Sequence, residues 1–444
     1  METPKRNTNR SPRPKLWTPV FVLIVGLALF CFVVGQAVNA GTSVYIDLRG
    51  GTALFSGLLA AVFSIAAGAA RLVCGPVIDS KGRTFTMTIG AAFLVAGSAG
   101  PLVSDELSLF VAYRILQGIG FSAVTTAAAT AAADVLPYSR LGEGIGYYGL
   151  GQALAMSIGP ALGLFLVSTD APGNLYFGCA CISAAALVLT LFCRYERNPE
   201  KLPETSVFRM RWEARQHEQH DAAISPNETA EQAASPQKGV SADEPGTDES
   251  IPRGIGRVLE ARAVPGALPM AIISPAFGFG IFFIGLYGTS IGIGNAGLFF
   301  TVSAISMIIV RLKSDTYMDR VAPIKVFGVS VVCGIIAYLL LFASEAQHAL
   351  FYLAGIFYGV CLGVSMPISQ SVAVKNTPSN RWGAANALYL LATDIGIGLS
   401  CLAWGAINDI FGFAVTLWCV IACIAVSFIV AWIVYPKEEE NPTP

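Results

Sequence analysis

Pro137-Tyr138-Ser139-Arg140-Leu141-Gly142 returns 241 residues later as Pro378-Ser379-Asn380-Arg381-Trp382-Gly383, and Tyr148 and Tyr389 follow in the same register. A second pair keeps almost the same period. Arg71 precedes Asp79 by eight residues, and Arg311 precedes Asp319 by eight, an offset of 240. Each of these anchors sits where an apolar run meets polar residues. Two anchors at one period mark a duplicated unit, and internal duplication of hydrophobic segments is the build of many secondary transporters.

Working outward from those anchors, the chain divides into twelve apolar runs: 17–42, 52–73, 85–103, 107–131, 142–168 and 174–193, then 266–290, 295–313, 323–343, 347–371, 381–407 and 411–435. Of the 444 residues 54% are hydrophobic and only 13% charged, about half the charge of a soluble domain, with a mean hydropathy of +0.61. A water-soluble globule is excluded. The expected fold is an all-α membrane protein: twelve transmembrane helices in two pseudo-symmetric six-helix bundles. The parts are a basic tail at 1–16, a first bundle at 17–193, a linker at 194–265, a second bundle at 266–435 and a tail at 436–444. The 45 glycines and 24 prolines suit closely packed, interrupted membrane helices. Val38-Asn39-Ala40 resembles a signal-peptidase site, but the apolar stretch before it is too long, and its removal would break the six-plus-six pattern.

Charge sets an orientation. With the amino terminus inside, 26 of the 28 Lys and Arg residues fall in inward segments, Arg114 lies within a run, and the outward loops hold only Arg49. The positive-inside rule then places both termini in the cytoplasm and the chain in the cytoplasmic membrane. The linker mixes basic and acidic residues with Pro, Ser and Gln, too polar to bury a core. The net charge of −1 leaves no footprint for nucleic acid. All ten cysteines lie in or at the ends of apolar runs and read as packing residues. No metal-spaced His/Cys set, nucleophile elbow or phosphate loop is present. No metal, cofactor or enzymatic activity is therefore expected.

Three strings carry a family resemblance. Gly75-Pro-Val-Ile-Asp79-Ser-Lys-Gly82-Arg83, placed between runs two and three, resembles the loop signature of the major facilitator superfamily. Arg114-Ile-Leu-Gln117-Gly118-Ile-Gly120 resembles its second signature, and Ser157-Ile-Gly159-Pro160-Ala-Leu-Gly163 resembles the Gly-Pro-x-x-Gly element of its drug and metabolite exporters. Ser80 departs from the usual Arg of the first signature, and Ala155 and Leu164 replace flanking glycines of the third. The resemblance implies alternating access by rocking halves. It also implies a switch, of which Gly82 is part, in which Asp79 meets the start of run eleven and Asp319 the start of run five, steadied by Arg71, Arg83, Arg311 and Arg320. A plainer reading, in which these charges only fix topology, stays open. Gly159, Pro160 and Gly163 would form a hinge or, equally, an ordinary small-residue contact.

Two ionisable groups lie deep in the apolar runs: Arg114, and Asp394 about 20 Å along run eleven. Intramembrane charge costs at least about 2.5 kcal/mol on insertion scales, so such residues are functional candidates by default. Asp394 is the candidate proton carrier, with a structural hydrogen-bonding role as its alternative. Arg114 would brace runs one and four through Gln36 or Asn39, bind an anionic substrate, or pair with Asp394. In the family's fold, runs one, four, seven and ten face a cavity, which places Gln36, Asn39, Gln117, Tyr287 and Tyr358 there, joined by Tyr148, Gln152, Asn386 and Tyr389. That surface suits a weakly charged amphipathic molecule. The expected activity is proton-coupled efflux of a small organic compound by a monomer, its partners being that substrate, protons and the lipid bilayer. Uptake by proton symport or facilitated diffusion is the alternative, and a transporter-like sensor a remote one.

Overall fold

The computed structural model describes residues 14–104, 106–137, 140–169, 171–210, 212–213, 216, 260–318, 321–375, 377 and 382–435. Its first half contains α1 (Pro19–Leu48), α2 (Ala53–Lys81), α3 (Arg83–Val103), α4 (Phe110–Val135), α5 (Leu141–Val167) and α6 (Asn174–Phe192). The second contains α7 (Val264–Ser290), α8 (Gly297–Met318), α9 (Pro323–Ala343) and α10 (Ala349–Lys375). A last stretch, Trp382–Val434, is helical throughout except at Gly412, whose φ of 79° breaks it. At 1.5 Å per residue these 53 residues would measure about 80 Å, against a hydrocarbon core of about 30 Å. They therefore make two crossings, α11 (382–411) and α12 (413–434), and the total is twelve.

Local chemistry fixes the boundaries. Thr18 and Thr52 precede α1 and α2, and their hydroxyls accept from the amides of Phe21 (3.2 Å) and Phe55 (3.1 Å). Pro19 and Pro323 open α1 and α9, where a missing N–H costs nothing. Hydropathy alone set the second run's end at 73, but α2 continues to Lys81. The Gly75–Arg83 string is thus helix, not loop, up to the single break at Gly82. Apolar runs mark the lipid-soluble part of a helix; its polar end projects further, because every backbone group in this setting is best satisfied within the helix.

Packing repeats between the halves. In the first, α1 lies on α5, α3 on α4 and α6, and α2 on α4; in the second, α7 lies on the Trp382–Val434 stretch, α9 on α10, and α8 on α10. Small residues set these crossings. A side chain at Gly163 would meet the Ala37 carbonyl on α1, and one at Gly359 would meet Ser303 on α8. Between halves, α2 faces α11, α5 faces α8, and α1 faces α7. The linker leaves from the face that also carries the α2–α3 and α4–α5 connections, here the linker face.

The α1–α5 contact predicts a contrast. Gly163→Ala should lower the melting temperature in detergent by the equivalent of about 1–3 kcal/mol of overpacking. Gly146→Ala on the same helix, with nothing within 4 Å of its would-be methyl, should be neutral or gain up to about 1 kcal/mol in helix propensity.

Candidate functional site

The two halves are tied by an ion pair. Arg71 on α2 donates through Nε to Asp394 Oδ2 on α11 at 3.2 Å, with Nη2 also 3.2 Å from that oxygen, while Nη1 reaches Thr126 Oγ1 on α4 at 3.4 Å. The guanidinium thus binds one carboxylate across the seam and one hydroxyl in its own half. The Asp394 side chain keeps 24% of its surface accessible and Arg71 keeps 14%, so the carboxylate is both paired and reachable. Arg71 was expected to steady Asp79, whose side chain lies outside the described residues; among the described residues it pairs with Asp394. A cation can neutralise only a carboxylate within its reach, and α11 brings Asp394 directly over it.

On the matching seam, Arg311 on α8 points Nη1 at the Gly149 carbonyl of α5, at 3.5 Å. Here too an arginine reaches the other half. The side chain of Asp79 lies outside the described residues, as do Asp319, Arg320 and Arg381 altogether, so the switch contacts expected for them stay at the level of sequence.

Arg114 is handled differently. It is 1% exposed and donates to Asn39 Oδ1 (2.7 Å), Gln117 Oε1 (3.1 Å) and the Leu59 carbonyl (3.2 Å). Its guanidinium stacks 4.6 Å from the Phe63 ring and 5.9 Å from Phe282 of the other half. Neutral dipoles and ring faces solvate this cation, and Gln117 is held in turn by the Gly97 carbonyl at 2.9 Å. Arg114 appears in none of the ion pairs among the described residues, and Asp394 is taken by Arg71. Of the two braces foreseen, Asn39 serves. Gln36 is buried, and its Oε1 has no hydrogen-bond partner among the described residues.

At the linker face a cluster forms that sequence reading missed. Glu196, just after α6, accepts from the backbone N–H groups of Arg83 and Thr84, both at 2.8 Å, and so caps α3. Gly82 precedes that cap with φ +95°, and a methyl there would come within 3.0 Å of the Glu196 carboxylate. Both facts require glycine. Arg83 lies 2.8 Å from Asp134 at the end of α4, an ionic contact rather than an aligned hydrogen bond. Asp134 comes within reach of Arg83 because α4 ends beside the start of α3; the contact expected between Arg83 and Asp79 lies outside the described residues. Glu196 lies 113 residues from the helix it caps, so no local pattern announces it. Asp134 ends the run Ala131-Ala-Ala-Asp134, whose alanines end a hydropathy window before it.

The cavity residues divide. Gln152 and Asn386 are partly exposed, Asn386 accepting from Gln370 at 2.6 Å. Tyr148 and Tyr389 are buried and donate to the carbonyls of Thr125 (3.3 Å) and Met366 (3.0 Å), each within its own half. Tyr287 and Tyr358 are buried as well. Tyr287 bonds the Leu341 carbonyl of α9 at 2.7 Å, and Tyr358 packs on Phe277 and Phe299, both inside the second half. Gly159 and Gly163 press on α1 at Gln36 and Ala37, with Pro160 buried between them.

The profile of the Major Facilitator Superfamily matches residues 23–343 and 263–444. The chain belongs to this superfamily. Two full-length relatives are similar at low identity. An MFS-type transporter of Methanocaldococcus jannaschii is 22% identical over 408 residues, covering 90% of this chain and 92% of that one. The staphylopine export protein of Staphylococcus aureus is 22% identical over 420 residues, covering 91% and 93%. Among solved structures, the xylose transporter XylE of E. coli in an inward-open conformation superposes with a TM-score of 0.69 at 15% identity, covering 95% of this chain and 98% of that one. The nucleoside transporter NupG gives 0.62 at 15%, covering 94% and 98%. The protein is thus a multi-pass membrane transporter of the superfamily's fold.

The Arg83–Asp134 contact yields a test within this superfamily member. Asp134→Asn should cost about 3 kcal/mol by stranding a largely buried guanidinium. The double change Asp134→Asn with Arg83→Gln should recover part of that loss in a thermal-shift assay. Additive losses would mean the pair is not coupled.

Proposed function

We propose that this superfamily member exports a small organic compound in exchange for protons, with Asp394 as the proton-carrying group and Arg71 as its partner. The observation that carries the reading is the ion pair joining α2 of one half to α11 of the other. A proton arriving on Asp394 removes the charge that holds Arg71, and Arg71 keeps its contact with Thr126 in its own half. The seam then loses its ionic tie at that level, and rocking becomes cheaper. Deprotonation on the opposite side restores the tie. The accessible fraction of the carboxylate is what lets a proton reach it.

Direction is supported by the similarity, over 91% of this chain, to a protein named for export, and the Lys/Arg bias supports a cytoplasmic linker face. Substrate chemistry is read from the polar side chains on helices that the family's fold turns to the cavity: Gln36 offers a buried acceptor, and Gln152 and Asn386 offer partly exposed amides. A neutral or weakly charged molecule carrying hydrogen-bond donors fits those groups better than a polyanion. Arg114, already satisfied by Asn39, Gln117 and Leu59, braces α1, α2 and α4 and holds the Phe282 face of α7.

The test uses inverted membrane vesicles and a panel of fluorescent compounds with and without an uncoupler. For a transported compound, Asp394→Asn should abolish uncoupler-sensitive accumulation while exchange of labelled for unlabelled substrate continues. Undiminished proton-driven accumulation in Asp394→Asn removes this residue from coupling, and accumulation in the opposite sense makes the protein an importer.

A further inference from the structure

We infer that Asp409 is a conformational latch: its carboxylate caps the first turn of α2 from across the seam and holds the halves together at the face opposite the linker. The first turn of a helix leaves its N–H groups without intrahelical acceptors. In α2 these donors are divided between the two halves. Thr52, in the same half, takes Phe55 at 3.1 Å. Asp409 of α11 takes Ala53 through Oδ1 at 3.1 Å and Leu54 through Oδ2 at 2.8 Å. The carboxylate also lies at the positive end of the α2 dipole. The α2 start is therefore fully capped only while the halves are closed at this end.

The surrounding contacts fit a closed face. A methyl at Gly405 would come within 2.5 Å of the Ala53 carbonyl, and one at Gly57 would meet the Cys401 carbonyl at 2.2 Å, so α2 and α11 cross here nearly backbone to backbone. Away from α11 the same face is shut by Leu164 of α5 against Gly285 of α7, and by Ala161 against Gly297 of α8. Towards the linker face, Gly75 of α2 has nothing within 4 Å of its would-be methyl. Asp409 itself is exposed and borders a crevice of about 340 Å³ that Asp47, Thr52 and Thr289 also line. Water at the crevice can replace its two bonds, as a latch that must open in each cycle requires.

Asp409 and Asp394 stand 15 residues apart on α11, about 22 Å along the helix, and both contact α2. The latch is independent of the proton reading, because its readout needs neither substrate nor gradient.

Hydrogen exchange of the full chain in nanodiscs tests it. Asp409→Ala should shift the closed–open balance at this face about 3- to 30-fold, the span of a lost helix cap. Exchange should quicken at the α2 start and also at the distant α5–α7 contact around 161–166 and 283–290. Thr52→Ala, which removes a cap inside one half, should quicken exchange only at the start of α2. If Asp409→Ala also changes nothing beyond residues 52–57, or if Thr52→Ala opens the distant contact equally, Asp409 is an ordinary cap and the latch is overturned.

Discussion

The ion pair between Arg71 and Asp394 is the contact on which a transporter reading of this chain turns. Two helices from different halves each bring a charge to a partly buried seam, where an uncompensated charge is costly. Pairing lowers that cost, but only while the halves keep this arrangement. The same pair that makes two charges tolerable therefore also makes them dependent on conformation. A residue whose protonation state decides whether its neighbour is compensated couples ion binding to shape, which is the thermodynamic requirement for any ligand-driven shift of a two-state equilibrium.

Arg114 marks the contrast. It is more deeply buried than Arg71, yet it makes its contacts with amide oxygens, a carbonyl and aromatic faces. Those dipoles do not titrate, so the cation is held in any protonation state of the protein. Three of its four supporting elements, α1, α2 and α4, lie in one half. The arrangement surrounds Arg114 with groups that do not titrate, whereas Arg71 meets a carboxylate, which does. Sequence reading singled out Arg114 as a charge deep in an apolar run and Arg71 as an anchor of the repeat at the end of one. It could not separate these roles, since the difference lies in which helix of the other half comes alongside.

The fold was largely legible because its signals are local or periodic: apolar runs of membrane-spanning length, breaks rich in glycine and proline, and a repeat that keeps its register over 241 residues. What escaped were contacts between distant segments. Glu196 caps a helix more than a hundred residues away, and Asp409 caps one over three hundred residues away; neither has a motif, because the matching partner is a bare backbone N–H. Hydropathy misjudged the end of α2 for a related reason. It measures solubility in lipid, whereas Asp79 and Lys81 remain helical without being soluble there.

The repeat that reveals the fold also shows where the halves diverge. Arg71 and Arg311 occupy equivalent positions, and each reaches across to a helix of the other half. The equivalent of Asp394 in the first half is Ala153, one period earlier. The α2–α11 seam accordingly joins cation to carboxylate, while on the α5–α8 seam the arginine reaches a backbone carbonyl. A carbonyl cannot be neutralised by a proton at physiological pH, so the Arg311–Gly149 contact does not itself depend on a protonation state. Among the described contacts, equivalent arginines on the two seams thus meet chemically different acceptors, a carboxylate on one and a backbone carbonyl on the other.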